Sequence, residues 1–316
     1  MIAATILVGF AVAAGSMGSP LVPVPRRLLR TPSLAAPALI ALSVSALLAA
    51  VLAGAALVVP VHAVRAGIAG LFRACEDQLA AHYTTPAGMA GSAVGAVVVA
   101  LVLGRAAWCA ARVFRGQVRE TRRHRRTLRL AARHDSVLDA YLLEHDCAMA
   151  YCVPGSPRTV VVTTAALRAL ADTELSAVLG HERAHLRARH ALLLSIARIL
   201  ATAFPFVPLF RETRRRLPAL VELAADDAAA HQYGRLTLAG ALVALADQSP
   251  STALAAARVA VEARFYRLIG TEPLRRTPVG LLWTVVVLAL LGPVVVAVAP
   301  AIWALFIHYC PLALHH

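Results

Sequence analysis

The sequence predicts a mainly α-helical membrane protein, with four transmembrane helices and a small cytosolic α+β domain. Three observations predict it. Of 316 residues, 59% are hydrophobic and 15% charged, and the mean hydropathy is +0.69. That apolar excess is too large for one ordinary soluble domain and opposite in sign to disorder. Four uncharged apolar runs are long enough for a helix to cross a bilayer core of about 30 Å. The remaining charge is segregated: all 31 cations are Arg, against 17 acids, for a formal net charge of +14. Arg beside an apolar run anchors cytoplasmic loops and meets anionic headgroups. Nucleic-acid binding would need an aromatic-interleaved or helix-turn-helix pattern, and none accompanies the charge, so no direct nucleic-acid partner is expected. Five scattered cysteines, an odd number, imply no disulfide framework.

The runs lie at 2–22, 33–64, 86–104 and 278–307. The first lacks the basic leader of a cleaved signal and reads as a retained span. The last contains Gly292, Pro293 and Pro300, but cutting it there leaves halves too short to cross, so one kinked span is expected rather than a hairpin. Arg26, Arg27 and Arg30 follow the first run, ten Arg lie between Arg105 and Arg133, and Arg275 and Arg276 precede the last. Placing the Arg-rich sides inside puts both termini outside and 111–277 in the cytoplasm. Three parts result: 1–112 with three spans and short loops, 113–277 as a cytosolic domain, and 278–316 with the fourth span and an outer tail. Residues 113–133 extend the third span as a helix whose Arg face meets either headgroups or solvent.

The chemistry lies in D-T-E-L-S-A-V-L-G-H-E-R-A-H-L-R-A-R-H, from Asp172 to His190. Asp172 suits a helix N-cap and Glu174 the first turn. Leu175, Val178, Leu179 and Leu186 recur at helical spacing. His181 and His185, four apart, project from one face and are spaced to hold one Zn²⁺. Glu182 stands where a carboxylate acts on water without itself ligating. This is the H-E-x-x-H pattern of zinc hydrolases. A third ligand is required. The long pattern ending in His wants that His at 191 and Gly at 188, where Ala191 and Ala188 stand, so His190 reads as a surface or structural residue. The better candidate is in V-E-L-A-A-D-D, where Glu222 and Asp226 are again four apart. Glu222 is placed to ligate and Asp226 to accept a hydrogen bond from a ligating His; Asp227 points about a quarter-turn away. Both carboxylates sit among Leu220, Val221, Leu223, Ala224 and Ala225, and acids on so apolar a helix need a partner.

Residues 191–210 are nearly all apolar and read as a fifth span by hydropathy alone. A crossing there would put Glu222 across the bilayer from His181 and His185. Pro205, Pro208 and the basic residues Arg211, Arg214, Arg215 and Arg216 instead predict a membrane-apposed segment that returns.

Taken together, A-Y-C-V-P-G from Ala150, R-T-V-V-V-T-T-A-A-L, L-S-A-V-L-G-H-E-R-A-H and E-L-A-A-D-D resemble the BlaR/MecR-type antirepressor peptidases. These are gluzincin membrane proteases of bacteria, related more distantly to the HtpX-type peptidases. The resemblance covers residues 150 to about 245, with the four runs arranged around them. It implies a gluzincin-type domain with Zn²⁺ as cofactor, bound by His181, His185 and Glu222, with Glu182 as base and Asp226 orienting a ligand His. It implies a multi-pass protein of the bacterial plasma membrane whose substrate is a cytosolic winged-helix repressor or the chain itself. It also gives meaning to a β-hairpin expected over 150–163, where Thr and Val alternate around Pro154, Gly155, Ser156 and Pro157: Ala150, Tyr151 and Cys152 would form an edge strand that aligns substrate backbone. His231, with Tyr233 and Arg235, is placed to stabilise an oxyanion, though spacing selects none of them. Cys147 and Cys152 read as reduced thiols without a catalytic role.

The β-lactam sensors of that group carry a penicillin-binding domain after the last span. Here about nine residues follow Ile307 and no Lys exists for an S-x-x-K motif, so acylation of this chain by a β-lactam is not expected. An HtpX-like quality-control protease is the rival within the class, and a zinc-binding receptor without catalysis the rival outside it. A channel is disfavoured by spans without charges.

Overall fold

A computed structural model describes residues 2–20, 31–58, 86–155, 158–248, 255–270 and 279–309. The first apolar run forms helix α1, Ile2–Ser16, shorter than the expected 2–22. It stops ahead of Gly18, whose φ of +88° reverses the chain and where a Cβ would stand 2.7 Å from Glu212 Cβ. The second run forms α2, Pro32–Val58, opened by a proline whose missing N–H costs nothing there. The third forms α3, Pro86–Ala131, 46 residues in one piece and about 69 Å long. It carries the apolar run straight into the Arg-rich stretch, as expected. The last run forms one helix, α10, Val279–Tyr309, and not a hairpin. Among the described residues two helices are long and apolar enough to cross a membrane, Pro32–Val58 and Met89–Ala131. The connections at 21–30, 59–85 and 271–278, with Arg26, Arg27, Arg30, Arg275 and Arg276, and the tail from 310 lie outside the described residues.

α2 and α3 approach through small residues. A Cβ on Gly95 would come within 2.7 Å of the Gly54 carbonyl oxygen, and one on Gly54 within 2.7 Å of Val99 Cγ2, so glycine lets the two helices approach closely.

After α3 the chain enters a four-stranded sheet: β1 Ala132–Asp135, β2 Ala140–Leu143, β3 Ala150–Val153 and β4 Thr159–Thr163, in the order β1-β2-β4-β3. The predicted hairpin is β3–β4, antiparallel with Ala150 opposite Val162 and Val153 opposite Thr159. β1 and β2 were not foreseen; the helix expected to reach 133 ends at Ala131. β2 pairs in parallel with β4, which leaves β3 on the outer edge. Val160, Val162 and Ala140 pack beneath the short helix α4, Thr164–Ala169, and against Leu175, Val178 and Leu179 of α5, Asp172–Arg187.

α6, His190–Ala203, holds the first part of the 191–210 segment expected to return rather than cross. Its 14 residues span about 21 Å, too short for a bilayer. The chain turns at 204–207 and re-enters α7, Pro208–Tyr233, with Pro208 in its first turn. Ile199, Leu200 and Phe204 pack with Ala46 of α2 and Cys109 of α3. Leu217, Leu220 and Val221 of α7 pack against Ala35, Ala36, Leu39 and Ile40 of α2, and Ser43 Oγ lies 3.2 Å from Thr213 Oγ1 in the same buried seam. α7 thus rests directly on α2. α8, Arg235–Asp247, and α9, Ala255–Ile269, close the domain; Arg235 Nε donates to the Leu268 carbonyl at 2.7 Å.

Candidate metal centre

The site is built where α5 crosses α7. Ala171, not Asp172, is the N-cap of α5, and Glu174 Oε2 accepts from the Ala171 N–H at 3.0 Å. Leu175, Val178 and Leu179 bury one face and hold the helix under the sheet. One turn further, Gly180 lies beneath Tyr233: a Cβ there would be 2.2 Å from Tyr233 Cε2. Only glycine admits that ring, and the close crossing brings the His face of α5 against the acidic face of α7.

His181 Nε2 and His185 Nε2 lie 3.1 Å apart. Glu222 Oε2 is 3.6 Å from the first and Oε1 is 3.5 Å from the second. One ligand atom from each of the three residues falls within a 4.8 Å cluster. Zinc–nitrogen bonds of 2.0–2.1 Å in a tetrahedron imply ligand–ligand edges of about 3.3 Å, so these separations fit one zinc ion without rearrangement. The donor types fit as well: two imidazoles and one carboxylate, with the fourth position left for water or substrate.

His181 Nδ1 is 3.0 Å from Asp226 Oδ1, and Asp226 is 1% exposed. With a metal bound, a proton kept on Nδ1 beside that carboxylate would leave the Nε2 lone pair for the ion. Burial disfavours the His181 cation, but the hydrogen bonds to Asp226 and Glu222 outweigh it and hold its pKa up at about 9. Burial and the neighbouring His181 push His185 down to about 4. Burial raises Asp226 and Glu222, yet their His181 and Arg264 contacts bring both below the usual carboxylate range.

Sequence reasoning missed Arg264. From α9 it donates to Asp226 through Nε at 2.7 Å and Nη2 at 2.6 Å, and its Nη1 is 3.2 Å from Glu222 Oε2. Arg267, one turn on, forks onto Asp227 at 2.5 and 3.0 Å, which accounts for Asp227 facing away from the histidines. The available signal was two Arg three apart in V-E-A-R-F-Y-R matching the adjacent Asp226-Asp227.

Glu182 is half-buried beside Cys152, and burial raises its pKa. Burial, with the Glu182 carboxylate next to it, pushes the Cys152 thiol up to about 12. Cys152 therefore stays a thiol and forms part of the cleft wall, on the strand expected to line the substrate. Ala150, Tyr151 and Cys152 lie on the edge strand; Tyr151 turns outward to His124, its hydroxyl 3.1 Å from Nε2. The cleft, about 390 Å³, runs from Cys152 and Gly155 past His185 and Glu222 to Arg158 and Arg189.

Of the two readings left open for His190, surface or structural, the structure gives the second: it is 5% exposed, and its Nδ1 lies 2.8 Å from His185 Nδ1. His231 is exposed near the end of α7; nine residues beyond Glu222, it sits about 180° round the helix, away from the cluster. Tyr233 packs its ring on Gly180, and Arg235 is engaged by carbonyls of α9.

Residues 117–216 match the model of peptidase family M48, a metallopeptidase family typically dependent on zinc. The match takes in the end of α3, the sheet, His181, Glu182 and His185, and stops short of Glu222, Asp226 and Arg264. No curated protein and no solved structure matches the chain.

Proposed function

We propose that this protein is a zinc metalloendopeptidase of the bacterial plasma membrane, working at the cytoplasmic face with both termini outside. The observation that carries the reading is the convergence of His181, His185 and Glu222 from two helices within 4.8 Å, in a region whose H-E-x-x-H half matches a metallopeptidase family. His181, His185 and Glu222 would hold the ion, and Asp226 would orient His181. When bound, zinc supplies Lewis acidity toward water and the scissile carbonyl. Glu182, raised by burial, takes the proton of the attacking water and returns it to the leaving amine, the work of a carboxylate tuned toward neutrality. The free edge of β3 beside the cleft receives the substrate backbone by strand addition.

The substrate is a protein. By its likeness to the antirepressor peptidases this is a cytosolic winged-helix repressor or the chain itself, in a regulatory cleavage. The family matched is M48 and not the antirepressor group by name, and that favours a second reading, removal of damaged membrane proteins by an HtpX-like protease. A receptor with a structural metal has no use for Glu182.

Glu182→Gln decides among them. The variant in membranes is expected to keep its zinc, lose cleavage and retain uncut substrate. One or two stabilised regulators support the regulatory reading, many stabilised membrane proteins support quality control, and cleavage at the wild-type rate removes Glu182 from the chemistry.

A further inference from the structure

The two histidines of the candidate centre have different partners. His181 faces the carboxylate of Asp226. His185 faces His190, with Nδ1 against Nδ1 at 2.8 Å, ring centroids 4.8 Å apart and planes at 84°. Two ring nitrogens in such contact share one N–H. If His190 donates it, the proton of neutral His185 stays on Nε2, aimed at His181 and Glu222, and that nitrogen is lost as a ligand. If His185 donates it, its Nε2 lone pair faces the cluster. The contact is built into the backbone. Arg189, between α5 and α6, adopts left-handed φ 52°, ψ 41°, a conformation L-residues hold under constraint. The turn sets the first residue of α6 back against His185, and His190 is 5% exposed.

We propose that His190 is a positioning residue for the metal centre: it accepts the Nδ1–H of His185 and fixes the ring in the tautomer whose Nε2 faces His181 and Glu222. It does for His185 what Asp226 does for His181, with a neutral acceptor in place of an anion. The inference rests on the metallopeptidase reading of the site.

The test uses the full chain in lipid nanodiscs, stripped of metal and titrated with Zn²⁺ against a chromophoric chelator. His190→Leu fills the space without an acceptor and is expected to weaken zinc binding by about 10–100-fold. His190→Asn offers a carbonyl oxygen and is expected to recover most of that loss. A packing role predicts the opposite order, since Leu suits an apolar site and Asn does not. Equal affinity in wild type and His190→Leu, or no recovery in His190→Asn, overturns the proposal. ¹⁵N-histidine spectra of the zinc-loaded wild type give an answer that needs no variant: His190 protonated on Nε2 supports the role, and protonated on Nδ1 defeats it. A wild-type chain that binds no zinc overturns the metallopeptidase reading itself, and this proposal with it; intact wild-type binding with an indifferent His190→Leu removes only His190.

Discussion

Asp226 is the residue on which the site's electrostatics turn. At 1% exposure an ionised carboxylate is sustained by paired, hydrogen-bonded partners, and the Arg264 fork and His181 provide them. Removing one partner of a buried pair costs about 3–5 kcal/mol, because the other charge stays behind. Arg264→Ala is therefore expected to lower the unfolding temperature and weaken zinc binding together. In an Asp226→Asn background the same substitution costs much less, because no buried anion is abandoned. Thermal unfolding and zinc titration of the four proteins in that cycle measure the coupling; equal costs in both backgrounds would show that Arg264 does not act through Asp226. Asp226→Ala alone is expected to weaken zinc binding about 10–100-fold. Asp226 was legible in the sequence because an acid four residues from Glu222 shares its helix face. Arg264 was not, because it arrives from 38 residues away, and no local pattern announces a partner at that distance. Spacing excluded His190 as a ligand but could not reveal its contact with His185, since a partner to a ligand obeys no such spacing.

At the scale of elements, the centre depends on how closely α5 and α7 cross. Gly180 admits the Tyr233 ring, so adding one methyl must drive the helices apart or expel the ring. Overpacking of this kind costs about 1–3 kcal/mol. Gly180→Ala should reduce both thermal stability and zinc affinity, since the movement separates the histidines from Glu222. Pairing it with Tyr233→Ala should give a protein more stable than the sum of the two single losses, and strict additivity would mean that the ring is not what the methyl meets. The elements themselves were unevenly legible. The β3–β4 hairpin declared itself through Thr and Val alternating around turn residues. β1 and β2 did not: four residues each, A-R-H-D and A-Y-L-L, they follow an Arg-rich helix without a break in composition. What makes them strands is pairing, above all the parallel register of Tyr141 with Val161 and Leu142 with Val162, a contact between segments 20 residues apart that no local pattern displays.

For the whole molecule the governing constraint is that both halves of the centre lie on one side of whatever the apolar helices cross. Hydropathy alone gave 191–210 a crossing, and the chemistry of Glu222 forbade it. α6 resolves the conflict by stopping after 14 residues and turning back into α7 along α2. Positive charge then predicts which side. α3 leaves its apolar part through Arg105, Arg112 and Arg115, and ten Arg on one flank of a span would favour keeping that flank in the cytoplasm. Cys147, half-buried in the loop before β3, reports on this. In a variant keeping Cys147 as its single cysteine, a membrane-impermeant maleimide applied to intact spheroplasts should leave it unmodified. The same reagent applied to inverted vesicles, or after detergent, should label it. Labelling from outside intact cells would reverse the orientation, place the cleft on the outer face, and rule out any cytosolic repressor as substrate while leaving the metal chemistry untouched.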